Sequence, residues 1–273
     1  MAVNLGQESA TGRANGNANA NSQYDIVCVG FGPAALAIAI ALREDHAELA
    51  NGKRVLFLER QAEFGWHTGM LLPGTKMQIS FMKDLATMRN PQSYFTFTNY
   101  LHQHGRLAHF INLSTHMPFR EEFNDYMKWC ATHFNDWVRY NSEVISVAGV
   151  APSSKADPIR QFTVTTRDVR TGRQQTVTTK HVIVANGGEM AMPDSLKASL
   201  RVTGKEQVIH SSQYMNKIQE KLPDTAAPYR VAVVGGGQSA VEICEDAQSR
   251  FPNARVSLIF RDTALRPSDD SPL

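Results

Sequence analysis

Two copies of a glycine-rich turn, each between a short apolar strand and a helix-forming segment, constrain the fold of this chain more than any other feature. The first lies in YDIVCVGFGPAALAIAIALRED and the second in RVAVVGGGQSAVEICEDAQSRF. The small residues that match the GxGxxG/A pattern are Gly30, Gly32 and Ala35 in the first copy and Gly235, Gly237 and Ala240 in the second. Because a second apolar strand follows each helix, we predict an α/β fold with two Rossmann-like dinucleotide-binding units.

The small residues of such a turn each have a physical task. The first glycine permits the tight bend, the second lets the backbone approach a pyrophosphate, and the third position allows the helix to pack closely on the strand. The helix N-terminus, at Pro33 in the first copy and at Gln238 and Ser239 in the second, then faces the phosphate charge. Ser239 is equally suited to capping its helix. One turn alone also arises for structural reasons, but two in full context favour nucleotide binding.

The residue that ends the second strand of each unit faces the adenine-side ribose and selects the nucleotide. In the first unit this residue is Glu59, followed by Arg60, and a carboxylate there accepts hydrogen bonds from ribose hydroxyls, although its distance from the glycines exceeds the usual ~20 residues. In the second it is Arg261, with Arg266 close behind, and a guanidinium there suits the 2′-phosphate of NADPH. An ordinary solvated arginine is the alternative for Arg261. The pattern predicts FAD first and NADPH second.

Composition and pattern divide the chain into three parts. Residues 1–22 are rich in Asn, Ala, Gly and Ser and predict a disordered tail. Residues 23–212 are expected to form the N-terminal part of an FAD-binding domain, with a β-hairpin at QFTVTTRDV and QQTVTTKHVIVAN beside the main sheet. Residues 213–273 are expected to start an NADPH-binding domain. The chain ends early, and no returning strands of the first unit follow. We therefore expect an incomplete FAD unit.

Two further helices are predicted between the glycine turns, each begun by a proline, Pro91 and Pro118. Arg120, near the start of the second, either approaches the flavin or pairs with acidic residues of its own helix between Glu121 and Asp125, and the helix pairing is the preferred interpretation. The three cysteines form no CxxC pair and are interpreted as reduced core thiols.

Charge and hydropathy exclude several classes of function. The formal charge of +2 arises from residues of both signs mixed along the chain, which gives no support for binding to nucleic acid or to a membrane surface. No apolar run approaches the ~20 residues that span a bilayer, and no secretory pattern opens the chain, so we expect a cytoplasmic protein. The sequence singles out no metal ligands and no catalytic side chain.

A long segment between the two glycine turns carries a family resemblance. FGWHTGMLLPGTKMQISFMKDLATMRNPQSYFTFTNYLHQHGRL, Phe64 to Leu107, resembles the signature region of the microbial ornithine and lysine N-hydroxylases. With GFGPAALAIAIAL, FINLSTHMPFREEFNDYMKWC, GGGQSAVEI and RDTALRPSDDSP, the resemblance runs from about Tyr24 to the last residue. It is closest to the fungal L-ornithine N5-monooxygenases.

The resemblance implies a reaction. NADPH reduces FAD, the reduced flavin and O2 form a C4a-hydroperoxide, and the side-chain amine of L-ornithine attacks it to give N5-hydroxyornithine for hydroxamate siderophores. The resemblance also implies a homotetramer. Two alternatives stay open: another flavin monooxygenase, such as a lysine N6-hydroxylase, and a truncated nucleotide-binding product without catalysis. The family completes its substrate pocket in a C-terminal half beyond this sequence, so activity of this chain alone is an open question.

The resemblance also implies roles for individual residues. Trp66 and His67 would line the flavin pocket, Gln78 would face the flavin ring, and Lys83 would hydrogen-bond the substrate carboxylate. Without the resemblance, His67 is a packed loop histidine and Lys83 an ordinary loop lysine. The neighbouring Met70 and Met77 are interpreted as core residues.

Overall fold

A computed structural model of the chain describes residues 23–46, 48, 54–151, 158–188, 190–194, 196 and 208–265. The predicted disordered tail, residues 1–22, and Arg266 lie outside the described residues. The first half of the chain is built on a six-stranded sheet of order β3-β2-β1-β6-β5-β4. Its strands are β1 (Gln23–Val29), β2 (Val55–Leu58), β3 (Val138–Arg139), β4 (Ser142–Gly149), β5 (Phe162–Asp168) and β6 (Gln174–Val184).

The sheet is parallel on one side and antiparallel on the other. β2 and β6 both run parallel to β1, and β3 runs parallel to β2. β4 and β5 extend the same sheet as an antiparallel meander from β6. All four residues of β2 are buried, as expected of a parallel strand that is covered on both faces. The ends of β1 and β2 therefore lie side by side at the carboxyl edge, where nucleotides bind in such sheets.

The helices of the first half cover one face of this sheet around an aromatic core. They are α1 (Pro33–Asp45), α2 (Phe97–Gln103), α3 (Leu107–Asn112) and α4 (Arg120–Thr132). Phe97 of α2 is fully buried, and its ring lies 5.4 Å from that of Tyr126 in α4. Cys28 of β1 and Phe57 of β2 belong to the same cluster. This packing fixes the glycine turn between β1 and α1 against a rigid layer.

The second half forms a smaller strand-turn-helix-strand unit. Its elements are α5 (Tyr214–Lys221), β7 (Arg230–Val234), α6 (Gln238–Arg250) and β8 (Arg255–Ile259). β7 and β8 pair in parallel along five residues each. The hydrophobic core of this unit includes Met70 and Leu72, which come from the first half of the chain. A short segment of the first half is thus anchored in the second unit.

The structure confirms the α/β fold with two glycine-turn units and corrects three details. The hairpin strands β5 and β6 belong to the main sheet instead of lying beside it, because β6 pairs with β1. The additional strand β4 was not predicted. The helix expected to begin at Pro91 begins at Phe97, where the Thr96 side chain accepts a hydrogen bond from the Asn99 amide and caps it.

The cysteine and methionine interpretations are confirmed by burial. Cys28 and Cys130 are buried free thiols, and burial raises the pKa of Cys28 to about 12. Cys244 is half-buried against the second core. Met70 and Met77 are both buried. Within the described part of the chain, no helix has the length and apolar character that would let it cross a membrane.

Candidate functional site

The first glycine turn has the geometry that a nucleotide-binding turn requires. Gly30 adopts a φ of +93°, and a Cβ atom on it would lie 2.6 Å from the carbonyl oxygen of Ala185, just after β6. Only glycine fits there, for both reasons. Gly32 caps α1 in an extended conformation, and a Cβ atom on it would meet nothing within 4 Å. Pro33 is the first helical residue, and Ala35 is fully buried against the sheet. The turn thus leaves open space at the N-terminus of α1.

Glu59 follows the end of β2 beside this turn. It is only 8% exposed, and its Oε2 accepts a hydrogen bond of 2.8 Å from the Phe31 amide in the glycine turn. Its Oε1 accepts another of 2.8 Å from the Gln61 amide. Each carboxylate oxygen has a further lone-pair site, so capacity remains for ribose hydroxyls. Arg60, the next residue, is exposed.

Trp66 and His67 lie on the loop after β2 and contact each other. The Trp66 amide donates to Oδ1 of Asn124 in α4 at 3.2 Å. The two rings are 5.2 Å apart, and His67 takes up a left-handed backbone conformation with φ of 47°. Desolvation of the imidazole and the nearby charge of Arg120 hold the pKa of His67 below its usual value. Both effects favour the neutral form of the ring.

The second glycine turn repeats the first with less crowding. Gly235 has a φ of +145°, and a Cβ atom on it would lie 3.4 Å from that of Ala240. Gly237 caps α6 and, like Gly32, has open space where a Cβ would be. The capping role considered for Ser239 is wrong, because Gly237 holds the cap position and no side chain caps this helix. Ser239 is exposed at the first turn of α6 and free to face a ligand.

Gln238 and Gln78 share a cleft between the two units, whereas Lys83 and Arg261 lie elsewhere. The cleft, about 800 Å³ in volume, runs between the segment 72–78 and α6, and both glutamines line it. Lys83 ends a short 3₁₀ turn, Phe81–Lys83, and is exposed outside this lining. Arg261 is exposed two residues beyond β8. The structure therefore places Gln78 and the start of α6 at one cleft and leaves Lys83 and Arg261 outside its lining.

Comparison with known proteins agrees with this geometry. The family model of the L-lysine 6-monooxygenases/L-ornithine 5-monooxygenases matches residues 22–273. The chain belongs to this family. The L-ornithine N(5)-monooxygenase of Ajellomyces capsulatus is 59% identical to this chain over 270 residues, which cover 97% of this chain and 55% of that protein.

Solved structures of the family share the fold. The ornithine hydroxylase of Pseudomonas aeruginosa has a TM-score of 0.80 and 38% identity, over 92% of this chain and 57% of that one. The ornithine N-hydroxylase of Kutzneria sp. 744, solved with reduced FAD, NADP⁺ and L-ornithine, has a TM-score of 0.79 and 36% identity, over 92% and 56%. The chain thus spans about half the length of the family members it matches.

One ion pair between the two units was missed by sequence reasoning. The Arg120 guanidinium donates two hydrogen bonds, of 2.7 and 2.8 Å, to the two carboxylate oxygens of Glu242 in α6. The expected pairing within α4, with Glu121 to Asp125, is wrong. Glu242 lies 122 residues away in the chain, so no local pattern reveals the pair.

Proposed function

We propose that this chain provides the FAD- and NADPH-binding parts of an L-ornithine N5-monooxygenase. Its product would be N5-hydroxyornithine, a precursor of hydroxamate siderophores, and its oxidant O2. The observation that carries the proposal is the contrast between the two units: a buried carboxylate beside the first glycine turn and an exposed guanidinium after the second.

The first unit fits FAD. A pyrophosphate requires backbone without side chains near the N-terminus of α1, and the open space at Gly32 supplies it. Glu59 is oriented by two backbone amides and keeps acceptor capacity for a ribose without a 2′-phosphate. Trp66, His67 and Gln78 would contact the flavin, with the Gln78 amide helping to orient the ring.

The second unit fits NADPH. The open space at Gly237 again accommodates a pyrophosphate at a helix N-terminus, where Gln238 and Ser239 reach phosphate oxygens. Arg261 would bind the 2′-phosphate through charge-assisted hydrogen bonds. When bound, the flavin supplies the redox chemistry, taking electrons from NADPH and passing them to dioxygen. The protein's part is to orient both cofactors and to exclude water from between them.

The substrate amine must lose a proton before it can act as a nucleophile. A free alkylammonium has a pKa of ~10.4, so the site has to favour its neutral form. Lys83 would pair with the substrate carboxylate, and its positive charge would disfavour a second cation nearby.

Ornithine is favoured over lysine by the relatives. The Ajellomyces capsulatus protein, at 59% identity, carries the name L-ornithine N(5)-monooxygenase. The solved L-lysine 6-monooxygenase of Pseudomonas syringae is 26% identical, with a TM-score of 0.72. The Kutzneria enzyme was solved with L-ornithine, and it is 36% identical.

The test is a product assay with the chain supplied with FAD and NADPH. L-ornithine, L-lysine and a thioether are offered in parallel, and hydroxylated amine is measured together with the flavin spectrum. We expect bound flavin and ornithine-dependent hydroxylamine product. Product from lysine or sulfoxide from the thioether would reassign the substrate, and failure to bind flavin would contradict the proposal.

A further inference from the structure

The two units touch through an apolar anchor and a polar clamp. In the anchor, Met70 and Leu72 are buried in the core of the second unit. Gly69 approaches so closely that a Cβ atom on it would overlap the carbonyl oxygen of Ser212. In the clamp, Arg120 at the start of α4 is bonded bidentately to Glu242 of α6. Leu72 of the anchor and Glu242 of the clamp both line the cleft.

The Arg120 side of the clamp is fixed to the segment that carries Gln78. The backbone amide of Arg120 donates to the Thr75 carbonyl at 2.9 Å, and its Nε donates to the Lys76 carbonyl at 3.1 Å. The Met77 amide in turn donates to the Pro118 carbonyl at 2.8 Å. The guanidinium is therefore bonded to the backbone of Lys76, two positions before Gln78, whose side chain is proposed to face the flavin.

The Glu242 side is fixed to the N-terminus of α6. Its Oε1 also accepts a hydrogen bond of 2.9 Å from Nε2 of Gln238, one turn earlier and directly after Gly237. Both charged side chains of the clamp are largely covered, with exposures of 15% for Arg120 and 12% for Glu242. A covered bidentate pair has little rotational freedom, unlike an exposed ion pair.

We propose that Arg120 and Glu242 are positioning residues for the transfer of a hydride from NADPH to the flavin. The hydrogen bonds that run from the backbone of Thr75 and Lys76, next to Gln78, through Arg120 and Glu242 to Gln238 link the segment proposed to face the flavin to the N-terminus of α6. They set how far a nicotinamide held by the second unit lies from the flavin held by the first. This inference rests on the proposed function.

The expected consequence is a loss of rate with little loss of binding. Displacement of reacting groups by about 1 Å costs on the order of 100-fold in rate. Arg120→Met leaves both glycine turns and Arg261 in place, so nucleotide affinity should change far less than the rate of flavin reduction.

The experiment compares four forms of the FAD-loaded chain: wild type, Arg120→Met, Glu242→Met and the double variant. Flavin reduction by NADPH is followed anaerobically by absorbance, NADP⁺ affinity by fluorescence, and stability by thermal unfolding. Each single variant leaves one covered charge unpaired, which lowers stability, and the double variant removes both charges. We expect stability to recover in the double variant while reduction stays about 100-fold slow.

The controls separate a positioning role from a structural one. Arg167→Met breaks the exposed pair of Arg167 with Glu143 on β4 and β5, and it should leave reduction unchanged. Arg120→Lys keeps the positive charge and loses the bidentate geometry, so it serves as the test variant if Arg120→Met does not fold. Its flavin reduction should also be slow.

Wild-type reduction rates in the single variants, or a rate that recovers with stability in the double variant, would overturn the inference. A wild-type chain that binds FAD but is not reduced by NADPH would overturn the proposed function as well.

Discussion

The two glycine turns share one motif but differ in how the surrounding structure supports them. The first lies in the middle of a six-stranded sheet, between β1 and the covered helix α1, with Glu59 hydrogen-bonded across it. The second lies on a two-stranded sheet where Val234 and Ile259 are 58% and 53% exposed. The same spacing of small residues thus gives a first turn that is packed and hydrogen-bonded to neighbouring strands, and a second turn whose neighbouring strand ends are exposed.

The contacts around the two turns therefore predict different costs for the same substitution. Substitutions at matched positions of the two units test whether the contrast is real.

The largest effect is expected from Gly30→Ala. The new Cβ would meet the Ala185 carbonyl oxygen at 2.6 Å on a backbone with φ of +93°, so strain and overlap combine. We expect a loss of about 2–6 kcal/mol in the free energy of unfolding, against about 1–3 kcal/mol for Gly235→Ala, where strain acts with less crowding. Thermal unfolding measures both. Gly172→Ala, at a φ of +73° in open space, is the control for strain alone, and equal losses at Gly30 and Gly235 would remove the contrast.

A smaller loss is expected from Glu59→Gln. The side chain keeps its shape, but only one of its two terminal atoms can accept a hydrogen bond, so the Phe31 or the Gln61 amide loses its partner. The expected cost is about 1.5–3 kcal/mol in unfolding free energy, with weaker FAD binding. Glu63→Gln, on a side chain that is 81% exposed, is the matched control. Similar small losses of unfolding free energy at Glu59 and Glu63 would mean that the Glu59 hydrogen bonds do not stabilise the first turn.

Arg261→Ala should spare stability and change nucleotide preference. Arg261 is exposed beyond β8, so its removal should leave the fold intact and remove only the proposed contact with the 2′-phosphate. We expect NADPH affinity to fall by about 10-fold or more and NADH affinity to stay nearly constant. Equilibrium titrations of both nucleotides measure this. Arg255→Ala, at the opposite end of the same strand, should affect neither, and equal losses for both nucleotides at Arg261 would contradict the assignment.

The smallest effect concerns the pKa of His67 at the boundary between the units. Desolvation and the Arg120 charge lower the pKa of His67 in the folded state below its ordinary value of about 6.5. The contribution of His67 to folding stability is therefore complete above about pH 6.5, and it is lost as the pH falls through the folded pKa. Arg120→Met removes one of the two causes and should raise the pKa of His67. An NMR titration of the imidazole measures the change, with Arg167→Met as a remote control. A pKa that does not move would show that Arg120 is electrostatically uncoupled from the loop.

Local patterns predicted much of this molecule, and distant contacts escaped them. The glycine turns, β1, β2, α1, α6 and the hairpin strands follow from hydrophobic period and turn residues within about 20 positions. The start of α2 was misplaced because Thr96 caps the helix although Pro91 offers an earlier start.

Long-range packing left weaker signals or none in the sequence. The burial of Met70 and Leu72 in the second core depends on how two units dock, and so does the pair of Arg120 with Glu242. Methionine and leucine are common in any core, and arginine and glutamate are common on any surface, so these residue types did not indicate the contacts. The positions of the glycine turns were therefore predictable from the sequence, and the cofactor roles of their residues stay predictions. The contacts between the two units required the structure.

The assignment of one cofactor to each turn is tested most directly by titrating FAD and NADP⁺ into two variants, Gly32→Ala and Gly237→Ala. Both new Cβ atoms enter open space, so the fold should stay intact and only the approach of a pyrophosphate should be blocked. We predict a crossed result. Gly32→Ala loses FAD and, once reconstituted at high FAD, keeps NADP⁺, whereas Gly237→Ala keeps FAD and loses NADP⁺. Loss of FAD in the Gly237 variant with its retention in the Gly32 variant, or full binding of both nucleotides in both variants, would contradict it.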